Sequence, residues 1–252
     1  MLLRITGSST YLADTIHSLP ADASVVPEAI WTVQRQASRV VFETDLDRPP
    51  SIPLIATLGP QTPLSSLVSA KAFAAATYLW EKFSIKLSLE TLKPWFAGLV
   101  LANALGESLA FDRNLGVDRQ LWEATPAQNR AVLEGTEALA AFDNAPPIEQ
   151  AAYLDMIART PEVITARLVR LCQYWQSSDE AGFEHELLEA KQHFPVMFAG
   201  LIDGRNRRWL PAIIERATRS ETSLVLVGAL HLVGSSGIPS LLARQGLTVT
   251  AA

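Results

Sequence analysis

The segment LVLVGALHLVG, from Leu224 to Gly234, joins a short apolar run to a glycine-x-x-histidine motif that ends at His231. Branched aliphatic residues followed by glycine predict a buried strand that ends in a turn. In open α/β sheets, ligands bind beyond the carboxyl ends of the strands, which is where a histidine directly after a strand lies. His231 is therefore a candidate metal ligand or general base.

A related stretch, LRITGSSTYL, opens the chain from Leu3 to Leu12. Residues 2–6 predict a strand, and the same glycine-x-x spacing then ends in Thr10 instead of a histidine. We therefore expect Thr10 to lie in the same cleft as His231, at a position that has lost a metal-binding histidine. His17, seven residues further on, is the alternative ligand.

A second strand is predicted over residues 39–45, RVVFETD, and it carries Glu43 among apolar neighbours. Because an unpaired buried carboxylate is costly, Glu43 is expected to be paired, hydrated or bound to a metal. Asp45 lies two residues further on and so shares the same face of a regular strand. Two carboxylates and a histidine suit Mn²⁺, Co²⁺ or Zn²⁺.

The 252 residues predict one domain of the α/β class. Residues 1–60 and 220–252 carry the strand patterns and are expected to form the sheet. Residues 61–219, which follow the loop predicted for the Pro-rich segment 47–63, show apolar residues at helical spacing behind proline-led starts. They predict a large, mostly helical insertion that covers the sheet, with a short strand pattern at Arg130–Glu134 in its midst.

Composition and charge indicate which classes of binding partner and which cellular location to expect. The net charge is −5 and the basic cluster GRNRRW, Gly204 to Trp209, is short, so we expect no nucleic-acid partner. The most apolar stretch, residues 95–105, is far shorter than the about 20 residues that cross a bilayer, so no membrane span is expected. The N-terminus lacks the apolar core of a signal peptide. We expect a soluble, cytoplasmic protein, with a trimmed export signal as the alternative.

Two further polar pairs lie in helical patterns. Arg205 and Asn206 belong to the basic cluster, and such a pair can clamp a carboxylate or a carbonyl group of a ligand. The alternative is a helix cap by Asn206 beside a surface arginine. His185 and His193 lie in a charged helix and are expected on its solvated face.

Taken in order, these segments resemble the TraB/GumN family, which includes the PrgY and Tiki proteins. That family has two strands that each end in glycine-x-x-histidine, a strand that ends in a glutamate, and several short motifs between them. The matching segments are Gly7–Thr10, Glu43 in VVFETDL, Lys93-Pro94-Trp95, Gly116-Val117-Asp118, Leu133-Glu134, Arg205-Asn206 and GALHLVGSSG from Gly228 to Gly237. The departure is Thr10, where the family has its first histidine.

The resemblance implies an α/β fold similar to the erythromycin-esterase-like and ChaN-like proteins, and metal-dependent hydrolase or peptidase activity. It places Glu43, Arg205, Asn206 and His231 in the site, with Glu43 and His231 as ligands of a divalent Mn, Co or Zn ion. Asp118 and Glu134 match motif positions without an assigned role.

Two hypotheses about function follow from the departure at Thr10. A neutral hydroxyl is a poor substitute for an imidazole ligand, so one hypothesis is a hydrolase with a degenerate, weakly occupied or empty metal site. The other is a non-catalytic homologue that keeps the cleft and binds a peptide or a small molecule. The oligomeric state is not predicted from the sequence.

Overall fold

The computed structural model describes residues 1–23, 25–48, 55–59 and 61–252. Residues 49–54 and 60 of the Pro-rich segment, predicted as a loop, lie outside the described residues. The described residues form a six-stranded sheet in the order β4-β3-β5-β2-β1-β6. The strands are β1 Leu2–Ile5, β2 Thr10–Thr15, β3 Arg39–Phe42, β4 Arg130–Val132, β5 Ser223–Gly228 and β6 Val249–Ala251.

Strands β4, β3, β5 and β2 run parallel, whereas β1 pairs antiparallel with both β2 and β6. The central strand β5 is buried along its aliphatic run, Leu224–Val227, as expected for a parallel strand covered on both faces. Because the four parallel strands point the same way, their last residues meet at one edge of the sheet. We call this the carboxyl edge.

Helices dominate the rest of the described chain, and the predicted α/β class is confirmed. Several helices begin with a proline, which suits the first helical turn because its missing N–H has no helical partner there. The helices are α1 Glu28–Gln36, α2 Ala70–Lys82, α3 Pro94–Glu107, α4 Val117–Ala124, α5 Ala140–Asp143, α6 Pro147–Arg159, α7 Pro161–Ser177, α8 Glu180–His193, α9 Pro195–Phe198, α10 Arg205–Ala217 and α11 Ile238–Arg244.

The core lies on both faces of the sheet and between the helices. One face packs Trp209 and Ile213 of α10 against β5, and the other packs against α1, α4, α8 and α9. Helices α2, α3 and α6 bury a further cluster that includes Leu79, Leu101 and Leu154. None of the helices in the described ranges is long and apolar enough to cross a membrane.

Three details of the predicted strands are corrected. Gly7, with φ +76°, turns the chain between β1 and a second strand that starts at Thr10, which the sequence analysis did not predict. Strand β3 ends at Phe42, so Glu43 lies just beyond it and Asp45 shares no regular strand face with it. The sheet also includes β4, which comes from the helical insertion and not from the chain ends.

Candidate functional site

Two glutamates meet at the carboxyl edge because the pairing of β3 with β4 continues past both strands. Leu133 N donates to Phe42 O at 2.8 Å, and Glu134 N donates to Glu43 O at 3.0 Å. Glu43 follows β3 and Glu134 follows β4, so the parallel register brings the two residues side by side.

Arg205 joins these two carboxylates. Its Nη2 donates to Glu43 Oε2 at 2.6 Å and its Nε donates to Glu134 Oε1 at 2.7 Å, with Arg205 only 9% exposed. The guanidinium carbon lies 4.5 Å from the ring centroid of Trp209, whose Nε1 donates to Glu134 Oε2. Burial is the largest influence on Glu43 and opposes its ionisation. The charge of Arg205, together with the two histidines and the N–H of Gly228, outweighs burial and lowers the pKa of Glu43 to about 2. Arg205 is thus not at the surface, and most of its guanidinium binds protein carboxylates instead of being free for a ligand.

His231 is held in one tautomer. Its Nε2 lies 3.3 Å from Arg205 Nη1, and because arginine only donates, Nε2 must carry the lone pair. Its Nδ1 then carries the proton and donates to Asn206 Oδ1 at 2.6 Å. Burial lowers the pKa of His231 to about 3, so the imidazole is neutral. The Nε2 atom also lies 3.8 Å from Glu43 Oε1.

Asn206 positions His231, and both its amide oxygen and its amide nitrogen contact groups of the protein. It is fully buried in the first turn of α10, and its Nδ2 donates to the carbonyl oxygens of His231 and Ser236. A π-helical segment, Ala199–Gly204, precedes this turn, and such segments are frequent at functional sites. Within it, Asp203 Oδ1 accepts hydrogen bonds from Lys191 Nζ and Ser236 Oγ, both at 2.6 Å. This network ties the π-helical segment to the loop after His231.

The second histidine at the carboxyl edge is His17, two residues beyond the end of β2. Its Nδ1 lies 3.0 Å from Asp118 Oδ2, and the charge of Asp118 raises the pKa of His17 to about 9. The motif Gly116-Val117-Asp118 makes this contact. A Cβ on Gly116 would lie 2.4 Å from His17 O, and Val117 N donates to Ile16 O at 2.9 Å. Glycine is therefore required for the close approach that delivers Asp118 to His17.

The two histidines and Glu43 converge on one small space above Gly228. A Cβ placed on Gly228 would lie 3.3 Å from Glu43 Oε1, 3.7 Å from His231 Cδ2 and 3.9 Å from His17 Nε2. Gly228 N donates to Glu43 Oε1 at 2.6 Å, which fixes the carboxylate beside that space. Each histidine has Nδ1 held by a side-chain oxygen and its Nε2 side turned toward the space. Metal-binding histidines show the same arrangement.

The donor types fit Mn²⁺, Co²⁺ or Zn²⁺, but the side chains do not yet enclose an ion. In the described part of the chain, no group of three or more His, Cys, Asp or Glu side chains is arranged to hold a metal. Arg205 Nη1 uses the lone pair of His231 Nε2, and His17 carries a proton at neutral pH. Loading would therefore require Arg205 to release His231 and His17 to lose its proton.

Thr10 does not lie with these residues, and the prediction that it shares their cleft is wrong. It pairs with Ser223 at the start of β5, whereas Thr15 pairs with Gly228 at its end. Five residues of strand separate the two ends by about 16 Å. The physical reason is the turn at Gly7, which makes Thr10 begin a strand instead of following one.

The structure thus brings Glu43, Arg205, Asn206 and His231 together and adds His17, with Asp118 and Glu134 as their partners. One signal in the sequence pointed to His17. The run TYLADTIH, Thr10 to His17, ends in a histidine as LVLVGALH does. Asp45 lies outside the cluster, where its Oδ1 accepts from Asp47 N. His185 and His193 are exposed, as predicted.

The fold and this cluster define an α/β protein with two histidines, two glutamates and an arginine at the carboxyl edge of its parallel strands. The chain belongs to the TraB/PrgY/gumN family, whose model matches residues 1–251.

Similar proteins include two described as "Uncharacterized protein YbaP", from Shigella flexneri and from Escherichia coli (strain K12). They are 23% identical over 236 and 235 residues respectively, and each alignment covers 92% of this chain and 87% of the relative. No solved structure matches the chain.

Proposed function

We propose that this protein is a metal-dependent hydrolase of peptide or ester bonds, with His17, Glu43 and His231 as its metal ligands. The observation that carries the proposal is the convergence of these three side chains on the space above Gly228. Membership of the TraB/PrgY/gumN family supports it, since the resemblance of the motifs implied the same class of chemistry. His17 takes the place that the sequence analysis gave to Thr10.

Each neighbouring residue has a defined task in this proposal. When bound, a divalent ion lowers the pKa of water toward neutrality and so supplies a nucleophile. Asp118 and Asn206 orient the two histidines through Nδ1. Arg205 keeps Glu43 ionised and has five N–H donors. Three of them make the contacts described above, and the second N–H on Nη2 faces Glu134 Oε1. The remaining N–H, on Nη1, is suited to donate to the oxygen of a carbonyl under attack.

A second candidate function is a non-catalytic module that binds a peptide or a small molecule in the same cleft. The contact of Arg205 Nη1 with His231 Nε2 favours it, because that hydrogen bond occupies the lone pair that a metal would need. In this alternative Arg205 takes the place of the ion as the cation that balances Glu43 and Glu134.

Hydrolysis assays separate the two. The purified protein is stripped with a chelator, reloaded with Mn²⁺, Co²⁺ or Zn²⁺, and assayed on a peptide mixture and on p-nitrophenyl acetate. We expect activity only with metal, and His231→Gln should lower kcat/KM by at least about 10–100-fold. The control is His185→Gln, whose exposed ring lies outside the cluster and should leave activity unchanged. No activity with any of the three ions would favour the binding module. Activity that does not depend on metal would contradict the proposed metal centre.

A further inference from the structure

A cavity of about 380 Å³ lies between α5 and the segment that runs from α9 into α10. Its lining is mostly small and apolar, with Ala140, Ala141, Ala145, Val196 and Gly200 on its walls. The cavity falls within the usual range of roughly 300–1,000 Å³ for ligand pockets. Glu137 and Arg208 also line it and supply an acceptor and a donor beside the apolar surface.

The cavity and the candidate site are built from neighbouring parts of the same chain segments. The two segments that line it, residues 137–145 and 196–208, also adjoin Glu134 and contain Arg205. Arg208 follows Arg205 by one helical turn on α10, and its Nη2 lies 3.7 Å from Glu134 Oε2. Arg208, which lines the cavity, therefore faces the same carboxylate that pairs with Arg205.

Its walls are braced by polar contacts. Lys93 Nζ and Trp95 Nε1 both donate to Asp143 Oδ1, at 2.5 and 3.0 Å, which fixes the end of α5. On the other side, the carboxylate of Glu149 accepts from the backbone N–H groups of Val196 and Met197. These bonds hold the cavity open before a ligand arrives, so binding requires little reordering.

We infer that this cavity binds the aliphatic side chain of a peptide substrate, next to the bond that is cleaved at the carboxyl edge. The inference rests on the proposed hydrolase function and narrows its substrate class from peptides or esters to peptides with an aliphatic residue beside the scissile bond. The small lining residues leave room for that side chain. Arg208 and Glu137 are placed to donate to a peptide carbonyl group and to accept from a peptide N–H.

The test compares Val196→Asn with wild type and with Val163→Asn. Val196 is 50% exposed in the first turn of α9, so the substitution should not prevent folding, and Val163 is 49% exposed in the first turn of α7. Each metal-loaded protein is incubated with a peptide library, and the cleaved positions are sequenced. Wild type and Val163→Asn should favour an aliphatic residue at one position beside the cut. Val196→Asn should lose about tenfold in kcat/KM on those peptides, mainly through KM.

A second readout does not depend on hydrolysis. Binding of N-acetyl-leucinamide is followed by ligand-observed NMR, and wild type should bind it whereas Ala140→Leu, which fills the cavity, should not. Cleavage without any aliphatic preference, or a preference that Val196→Asn leaves unchanged, would overturn the inference while leaving the hydrolase proposal in place. Absence of cleavage by every metal-loaded form would refute the hydrolase proposal. In that case, if wild type binds N-acetyl-leucinamide and Ala140→Leu does not, the result would still support an aliphatic cavity. If wild type does not bind the amide, the aliphatic cavity is overturned as well.

Discussion

Replacing Arg205 with methionine is expected to lower the free energy of unfolding by about 3–5 kcal/mol, the cost of removing one partner from a buried ion pair. Arg205 is the shared partner of Glu43 and Glu134, and all three side chains are at most 11% exposed. Methionine keeps most of the side-chain volume but leaves two carboxylates together without the cation that balances them. Urea denaturation of wild type and variant measures the difference.

Arg208→Met is the matched control. Arg208 lies one turn away on the same helix and contacts the same Glu134, but at 3.7 Å and with its side chain 54% exposed. A solvent-exposed ion pair contributes roughly 0–1 kcal/mol, so this variant should unfold almost as wild type does. Equal effects of the two substitutions on the free energy of unfolding would show that the buried ion pairs of Arg205 contribute no more to stability than the exposed pair of Arg208.

The second large effect is expected from Gly228→Ala, which should lower metal-dependent hydrolysis by about 10–100-fold, the usual cost of disturbing a group that positions a metal ligand. The backbone of Gly228, with φ −55° and ψ 142°, accepts alanine without strain. The new methyl group would occupy the space on which His17, Glu43 and His231 converge, and it would press on Glu43 Oε1 at 3.3 Å. Stability should stay close to that of wild type.

The control for this substitution is Gly59→Ala, since a Cβ at Gly59 meets no atom within 4 Å. Hydrolysis rates and thermal melting are measured for both variants and for wild type. Loss of activity together with a collapse of the melting transition in Gly228→Ala would point to a folding defect. Full activity in a folded Gly228→Ala would show that the space above Gly228 is not where the chemistry occurs.

The sequence alone predicted the secondary-structure elements that depend on a local pattern of residues. The aliphatic run at Leu224–Val227 predicted the central strand, and proline-led helical patterns predicted most of the insertion. Glu43 and His231 were predicted as candidates because a carboxylate in an apolar run is costly to bury unpaired, and because a histidine after a buried strand lies where ligands bind in open α/β sheets.

The error at Thr10 came from treating two similar glycine spacings as equivalent. The glycine of LRITGSST lies inside a hairpin, whereas the glycine of LVLVGALH ends a strand, and only the pairing of Thr10 with Ser223 distinguishes them. A one-sequence pattern contains the spacing but not the register between strands more than 200 residues apart.

The partners of the site residues depend on contacts that no local pattern specifies. Asp118 reaches His17 across 101 positions, and Arg205 reaches Glu43 across 162. Tertiary packing also decided whether Arg205 lies at the surface or is buried. Its position beneath Trp209 and between two glutamates follows from the π-helical segment before α10 and from the parallel pairing of β3 with β4.

Calorimetric titration with Mn²⁺, Co²⁺ and Zn²⁺ tests most directly the claim that His17, Glu43 and His231 form the metal centre. We predict that chelator-stripped wild type binds about one ion per chain and that His17→Ala weakens the affinity by more than about tenfold. Thr10→Val, at the opposite end of β2, should bind as wild type does. Binding that His17→Ala leaves unchanged, or a wild type that binds none of the three ions, would contradict the claim.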